Sequence, residues 1–115
     1  MKKLIHLISV AFLLPAAVST AMAAGDRIAE GKEIAFDRKK GNCLACHVMD
    51  DGELPGYLGP PLMMMEARFP DREVLKQQIA DATIKNPETS MPPFGKHRIL
   101  TEEELNKVVD YVHTL

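Results

Sequence analysis

Cys43-Leu44-Ala45-Cys46-His47 is the stretch on which the reading of this chain turns. Two thiols and an imidazole at this spacing form the C-x-x-C-H signature of covalent c-type haem attachment. Each cysteine sulfur adds to one haem vinyl group, so the two thioethers must lie one short turn apart. The histidine follows at once, so that its ring can swing under the iron as an axial ligand. Other uses of a C-x-x-C pair fit poorly. A thioredoxin-like dithiol needs a strand–helix–strand setting, and tetrahedral zinc needs a second ligand pair. The chain has only two cysteines. Both belong to the motif, so no thiol is left for a structural disulfide or for use as a nucleophile.

Upstream, Met1-Lys2-Lys3 is a short basic start, Leu4 to Val18 is mostly apolar, and Ala21-Met22-Ala23 places small residues where a signal peptidase reads. Residues 1–23 are therefore expected to be a cleaved export signal. The apolar run is too short and too interrupted by His6, Ser9 and Pro15 to read as an anchor spanning about 30 Å of hydrocarbon. The mature domain, 24–115, is a single small unit, and a chain of that size buries a marginal core. A covalently held haem would fill that core and tie its own attachment segment to it. Without Lys2 and Lys3 the chain carries 12 basic and 16 acidic side chains. That balance gives no basic surface for nucleic acid or an anionic membrane.

The mature sequence reads as all-α. A first helix is expected from Asp26, as N-cap, to about Lys39, with Ile28, Ala29, Gly31, Ala35 and Phe36 on its apolar face. Gly31 costs helix propensity, as a site of close helix approach does. A middle helix starts at Pro70-Asp71 and runs to about Ala82, with Val74, Leu75, Ile79 and Ala82 inward. Thr101-Glu102-Glu103-Glu104 is a capping box opening a last helix to about Thr114, with Leu105, Val108, Val109 and Val112 as its buried stripe. Between these lie two long loops, 48–70 and 86–100, rich in Gly and Pro. Loops of this length in a small domain are functional as a rule, and wrapping a flat cofactor would explain them. Of Met63-Met64-Met65, at least two are expected to pack as a short helical segment.

His47 would take one face of the iron, and the occupant of the other face sets the chemistry. Candidates are Met49, Met63, Met64, Met65, Met91, His97 and His113. Met49 is too near His47 in sequence to reach the far face, and His113 is expected on the solvated side of the last helix. Met91 precedes Pro92-Pro93 in a loop whose backbone freedom the prolines restrict. A pre-ordered loop suits a weak thioether ligand. Met91 is the favoured ligand, with His97 and the Met63–Met65 cluster left open. A His–Met iron with no open position transfers electrons, and Met ligation raises the potential relative to two histidines. Tyr57, Met63, Pro92 and Phe94 are candidates to surround an exposed haem edge or only to cover the haem. Lys96, His97 and Arg98 are candidates to meet haem propionates or a partner's carboxylates, or to form a solvated basic run.

Taken together, Gly31 in the first helix, the C-x-x-C-H motif, Gly59-Pro60, the late Met91 loop and the C-terminal helix resemble class I monohaem cytochromes c. The resemblance implies a small helical domain around one covalent haem c. It implies that Cys43 and Cys46 carry the haem, and that His47 and Met91 bind the iron. It further implies that the Pro60 carbonyl accepts a hydrogen bond from the ligand imidazole, that Leu62 packs on the haem, and that the first and last helices cross near Gly31.

Gly41-Asn42 before the motif, Gly59-Pro60-Pro61-Leu62, Arg68-Phe69-Pro70-Asp71-Arg72, Asn86-Pro87 and above all Met91-Pro92-Pro93-Phe94-Gly95-Lys96-His97-Arg98-Ile99-Leu100-Thr101 are similar to the SoxX family of sulfur-oxidation cytochromes. That resemblance spans essentially the whole mature chain. It implies a periplasmic subunit of a SoxAX complex, an L-cysteine S-thiosulfotransferase, with a SoxA-type cytochrome as partner. In that family thiosulfate is joined oxidatively to a cysteine of the carrier SoxYZ, and two electrons pass through haem to a soluble cytochrome c. With both thiols used for haem, this chain has no cysteine to hold substrate sulfur. The other readings are a stand-alone electron shuttle of a respiratory or photosynthetic chain, and a haem-based sensor.

Overall fold

A computed structural model describes residues 17–115, with side chains from Ala23 onward. The basic start and most of the apolar run read as an export signal lie outside the described residues. Four α-helices follow in order: α1 (Ala17–Phe36), α2 (Met65–Arg68), α3 (Arg72–Ala80) and α4 (Glu102–His113). Two 3₁₀ turns, Cys43–Ala45 and Ala82–Ile84, complete the regular structure. Among the described residues there is no strand, only an isolated bridge between Met49 and Leu62, and no helix is long and apolar enough to cross a membrane.

The helix boundaries show what local sequence can and cannot set. α1 does not begin at Asp26 but at Ala17, because Ala17 to Ala24 hold strong helix formers that let the helix run back through Asp26. It ends at Phe36, short of Lys39. The Asp37 carboxylate accepts from Lys39 N–H at 2.8 Å, and the Asp37 carbonyl takes Lys40 and Asn42. A short acidic side chain thus offers the backbone an alternative to another helical turn. α3 starts as expected, with the Asp71 carboxylate accepting from Glu73 N–H. It stops at Ala80 rather than Ala82, because Asp81 leaves helical backbone and caps the next 3₁₀ turn. α4 has both halves of its capping box: Glu104 N–H donates to Thr101 Oγ1 at 3.2 Å, and Thr101 N–H donates to Glu104 Oε2 at 3.0 Å.

The core is built on α4. Its stripe of Leu105, Val108, Val109 and Val112 is buried, together with Tyr111. α1 packs along one side of it and α3 along another. α1 contributes Gly31 and Ala35, with Ile28, Ile34 and Phe36 half-buried, whereas Ala29 faces solvent. Gly31 lies against the α4 backbone. A Cβ there would come within 2.6 Å of the Lys107 carbonyl carbon and 2.9 Å of Tyr111 Cβ. On α3, Leu75 and Ile79 are buried, while Val74 is largely exposed. Asp110 fastens three helices at once. It accepts from Arg27 of α1 at 3.0 Å and from Arg72 Nε of α3 at 2.7 Å, and Arg72 also donates to the Asn106 carbonyl.

The loop after the pentapeptide is held to these helices by a mixed cluster. Asp50 accepts from Lys32 Nζ at 2.8 Å and from the Tyr111 hydroxyl at 3.1 Å. The ammonium of Lys32, then the Tyr111 hydroxyl, holds the Asp50 carboxyl below its ordinary range. Burial, followed by the bond to Asp50, pushes the Tyr111 phenol up.

Two outcomes are expected from this packing. Gly31→Ala should destabilise the protein by about 1–2 kcal/mol, since overpacking outweighs the gain in helix propensity. A urea midpoint equal to wild type would show that the helices do not meet this closely. Asp50 has a depressed folded-state pKa, so its contribution is present above the ordinary carboxylate pKa and is lost as pH falls below that value. Asp50→Asn should therefore flatten the acid limb of stability against pH. Unchanged acid sensitivity would remove this cluster from the account.

Candidate haem site

The pentapeptide begins in a tight 3₁₀ turn. Asn42 precedes it in left-handed backbone, φ 47°, which asparagine tolerates better than most residues. Cys46 and His47 N–H groups both donate to the Cys43 carbonyl, at 3.1 and 2.9 Å. The loop that follows then runs back beside the motif. Gly56 N–H donates to Leu44 O, Gly59 N–H to Cys46 O and Leu62 N–H to Val48 O, each at 2.8 Å. This ladder gives much of the expected 48–70 loop a fixed course. It ends at the short helix α2, where Met65 N–H donates to the Leu115 carbonyl at 2.7 Å.

His47 is fixed by that loop. Its Nδ1 donates to the Pro60 carbonyl at 2.6 Å, which fixes the tautomer and leaves Nε2 as the ring's electron-pair donor. Gly59 makes room for the ring: a Cβ there would lie 2.6 Å from His47 Nδ1 and 2.9 Å from Nε2. Gly59 was legible in the sequence only as a turn signal. Its second role, leaving space for an imidazole, required the tertiary fold.

A cavity of about 710 Å³ opens beside the motif. Cys43, Cys46 and His47 line it, together with Pro60 and Leu62 from the returning loop and Met91 from the late loop. Apolar walls come from Met65, Phe69, Leu75, Ile79, Phe94, Val108 and Val112. The two cysteines form no disulfide, so both sulfurs are available for attachment.

The late loop is anchored rather than slack. Phe94 N–H donates to Ile79 O at 3.3 Å and Gly95 N–H to Ala80 O at 3.0 Å, which pins the loop to the end of α3. Met91 N–H donates to Thr89 Oγ1 at 3.2 Å, and Glu88 N–H to Asn86 Oδ1 at 3.1 Å. Phe94 is buried and lines the cavity, so of its two expected places, rimming an exposed haem edge or covering the haem, it takes the second. The side chains of Pro92 and Ile99 also reach the cavity.

The other sequence candidates are placed elsewhere. Met49 is buried in the core and Met65 is on the cavity wall, but Met63 and Met64 are exposed. Only one of the three clustered methionines therefore packs, because Met64 enters left-handed backbone, φ 53°, and turns the chain just before α2. His97 is exposed and absent from the cavity wall. His113 is not simply solvated: it is half-buried, with its Nε2 on the Phe69 carbonyl at 2.9 Å. Lys96 and Arg98 do not line the cavity, and Lys96 pairs with Asp81 at 3.0 Å. The cations on the wall are Arg38, Lys39, Lys40 and Arg68. Lys40 is engaged by Glu104, and Arg68 donates to the Pro61 carbonyl at 2.9 Å. The sequence shows Arg68 only as part of the Arg68–Arg72 stretch, and the return of loop and helix brings it to the cavity.

The donor set fits a c-type haem. Two thiols and an imidazole lie on one short turn, a thioether reaches the same space, and the remaining lining is largely apolar.

Comparison with known proteins agrees. Residues 26–112 match the model of the family described as cytochrome c oxidase, cbb3-type, subunit III. An "Uncharacterized lipoprotein" of Aquifex aeolicus (strain VF5) is 36% identical over 76 residues, covering 65% of this chain and 37% of that protein. The chain thus spans a little over a third of that relative's length. The crystal structure of SoxXA from P. pantotrophus superposes with a TM-score of 0.67 at 28% identity, covering 75% of this chain and 79% of that one. The helical architecture is accordingly that of a small all-α class I cytochrome, and haem c is the group that such a family binds. The chain belongs to the family described by the cbb3-type subunit III model, a family of cytochromes c, and its fold is similar to that of SoxXA.

Proposed function

We propose that this chain is the monohaem electron-transfer subunit of a SoxAX-type L-cysteine S-thiosulfotransferase. The observation that carries the reading is the convergence of Cys43, Cys46, His47 and Met91 on one cavity, with His47 already oriented by Pro60. When bound, the haem supplies a one-electron iron couple.

The chain's own residues do the rest. Cys43 and Cys46 would hold the haem through two thioethers. His47 Nε2 and Met91 Sδ would both be donors to its iron, which would leave no place there for substrate or oxygen. Pro60 holds the imidazole in one tautomer and raises its basicity. Leu62 packs on the haem, and the apolar walls keep water away. Arg68 supplies a cation on the wall for the haem's carboxylates.

The sulfur chemistry belongs to the partner chains. A sulfur–sulfur bond forms between thiosulfate and a cysteine thiol of the SoxYZ carrier, the S–H bond breaks, and one proton and two electrons leave. A SoxA-type subunit would pass the electrons one at a time to this chain, which would hand each to a soluble cytochrome c. Export to the periplasm, with residues 1–23 removed as a signal peptide, places haem attachment and electron transfer in one compartment.

Three experiments test this reading. Met91→Ala should abolish the near-infrared iron–sulfur charge-transfer band of the oxidised protein; a persisting band removes Met91 as ligand. Gly59→Ala should displace the imidazole and lower the haem-loaded yield by on the order of tenfold, as loss of a ligand's support does; full loading would show that the ring tolerates the added methyl. Thiosulfate, with the partner subunit and carrier present, should reduce this haem. A stable monomer that stays oxidised under those conditions would instead make it a free-standing shuttle.

A further inference from the structure

Four large apolar side chains on the loop between the pentapeptide and α2 stand in solvent and do not line the haem cavity: Leu54 is 97% exposed, Tyr57 84%, Met63 54% and Met64 70%. Single exposed apolar residues are ordinary, but a run of them on one loop marks a contact surface. The backbone beneath is strained to keep them there. Leu54 and Met64 adopt left-handed φ values of 52° and 53°, which for such residues costs roughly 1–2 kcal/mol each. Gly or Asn would relieve that cost, and a polar residue would relieve the exposure. Strain of this kind points to function. The loop is also held rigid by the Gly56–Leu44 and Leu62–Val48 hydrogen bonds, so little order remains to be gained on binding.

Charge narrows the partner. No Lys or Arg occurs between Lys40 and Arg68. Asp51, Glu53 and Glu66 are exposed along the patch. Asp51 is shared with Lys32, and among the described residues Glu53 and Glu66 make no ion pair. A second copy of this chain would set that acidic rim against itself. A transient redox partner is steered mainly by charge, whereas a largely apolar centre suits a durable subunit contact. Leu58, next to Tyr57 on the same loop, lines the haem cavity, so whatever covers the patch lies near the cavity's edge.

We infer that Leu54, Tyr57, Met63 and Met64 form the seat of the second haem-bearing subunit, which presents an apolar centre rimmed by Lys and Arg. This rests on the function proposed above. The test is co-expression of the haem-loaded chain with that subunit, followed by size-exclusion chromatography. The triple variant Leu54→Lys, Tyr57→Lys, Met64→Lys should elute as a monomer with an unaltered haem spectrum, while Ile84→Lys, on a separate exposed isoleucine, should stay in the complex. If the triple variant loads no haem, Glu53→Lys with Glu66→Lys is read instead and should also lose the complex. A patch variant that loads haem and remains in the complex overturns the assignment of this surface alone. A wild-type chain that stays monomeric beside the second subunit overturns the functional reading, and the surface with it.

Discussion

The hydrogen bond from His47 Nδ1 to the Pro60 carbonyl is the constraint from which the site follows. It can form only if the loop returns beside the pentapeptide, which the Gly56, Gly59 and Leu62 amides secure. It also needs Gly59 to lack a side chain, because a methyl there would occupy the space of the ring. Once the bond is made, the imidazole has one tautomer and one orientation, and its free nitrogen is the one available to iron. A bond of this kind from an imidazole to a carbonyl is the support that a metal-ligating histidine characteristically has.

The rest of the molecule supports that arrangement. α4 is the common wall on which α1 and α3 pack, and Val108 and Val112 serve both the core and the cavity. Tyr111 joins this wall to the loop through Asp50, and Asp110 joins it to α1 and α3. The late loop carries Met91 to the cavity because Phe94 is buried and its backbone is tied to the end of α3. A small domain with a marginal core thus devotes many of its tertiary contacts to two loops, and those loops build the cavity.

What the sequence disclosed depended on how local the physics was. The pentapeptide, the Asp71 cap, the Thr101–Glu104 box and the α4 stripe are patterns within a few residues of one another, and all could be read directly. The start of α1 was misplaced because a good capping residue, Asp26, lies inside a run whose upstream residues are themselves helix formers. Whether Phe94 rims the haem edge or covers the haem stays open in the sequence, because a Pro-Pro-Phe-Gly segment looks like a solvent loop until its hydrogen bonds to α3 are seen. Two of the three clustered methionines, Met63 and Met64, were expected to pack and do not, since a left-handed turn precedes α2. The cavity-facing places of Gly59 and Arg68 are properties of chains meeting from far apart, and no local pattern announces them.

The central claim is that His47 and Met91 together close the iron and make this an electron carrier. Carbon monoxide tests it most directly, because only an open or easily opened iron binds it. The reduced wild-type protein should keep its absorption spectrum unchanged when carbon monoxide is added. Rapid, complete conversion to the carbon monoxide complex would show an open coordination position and would contradict the account.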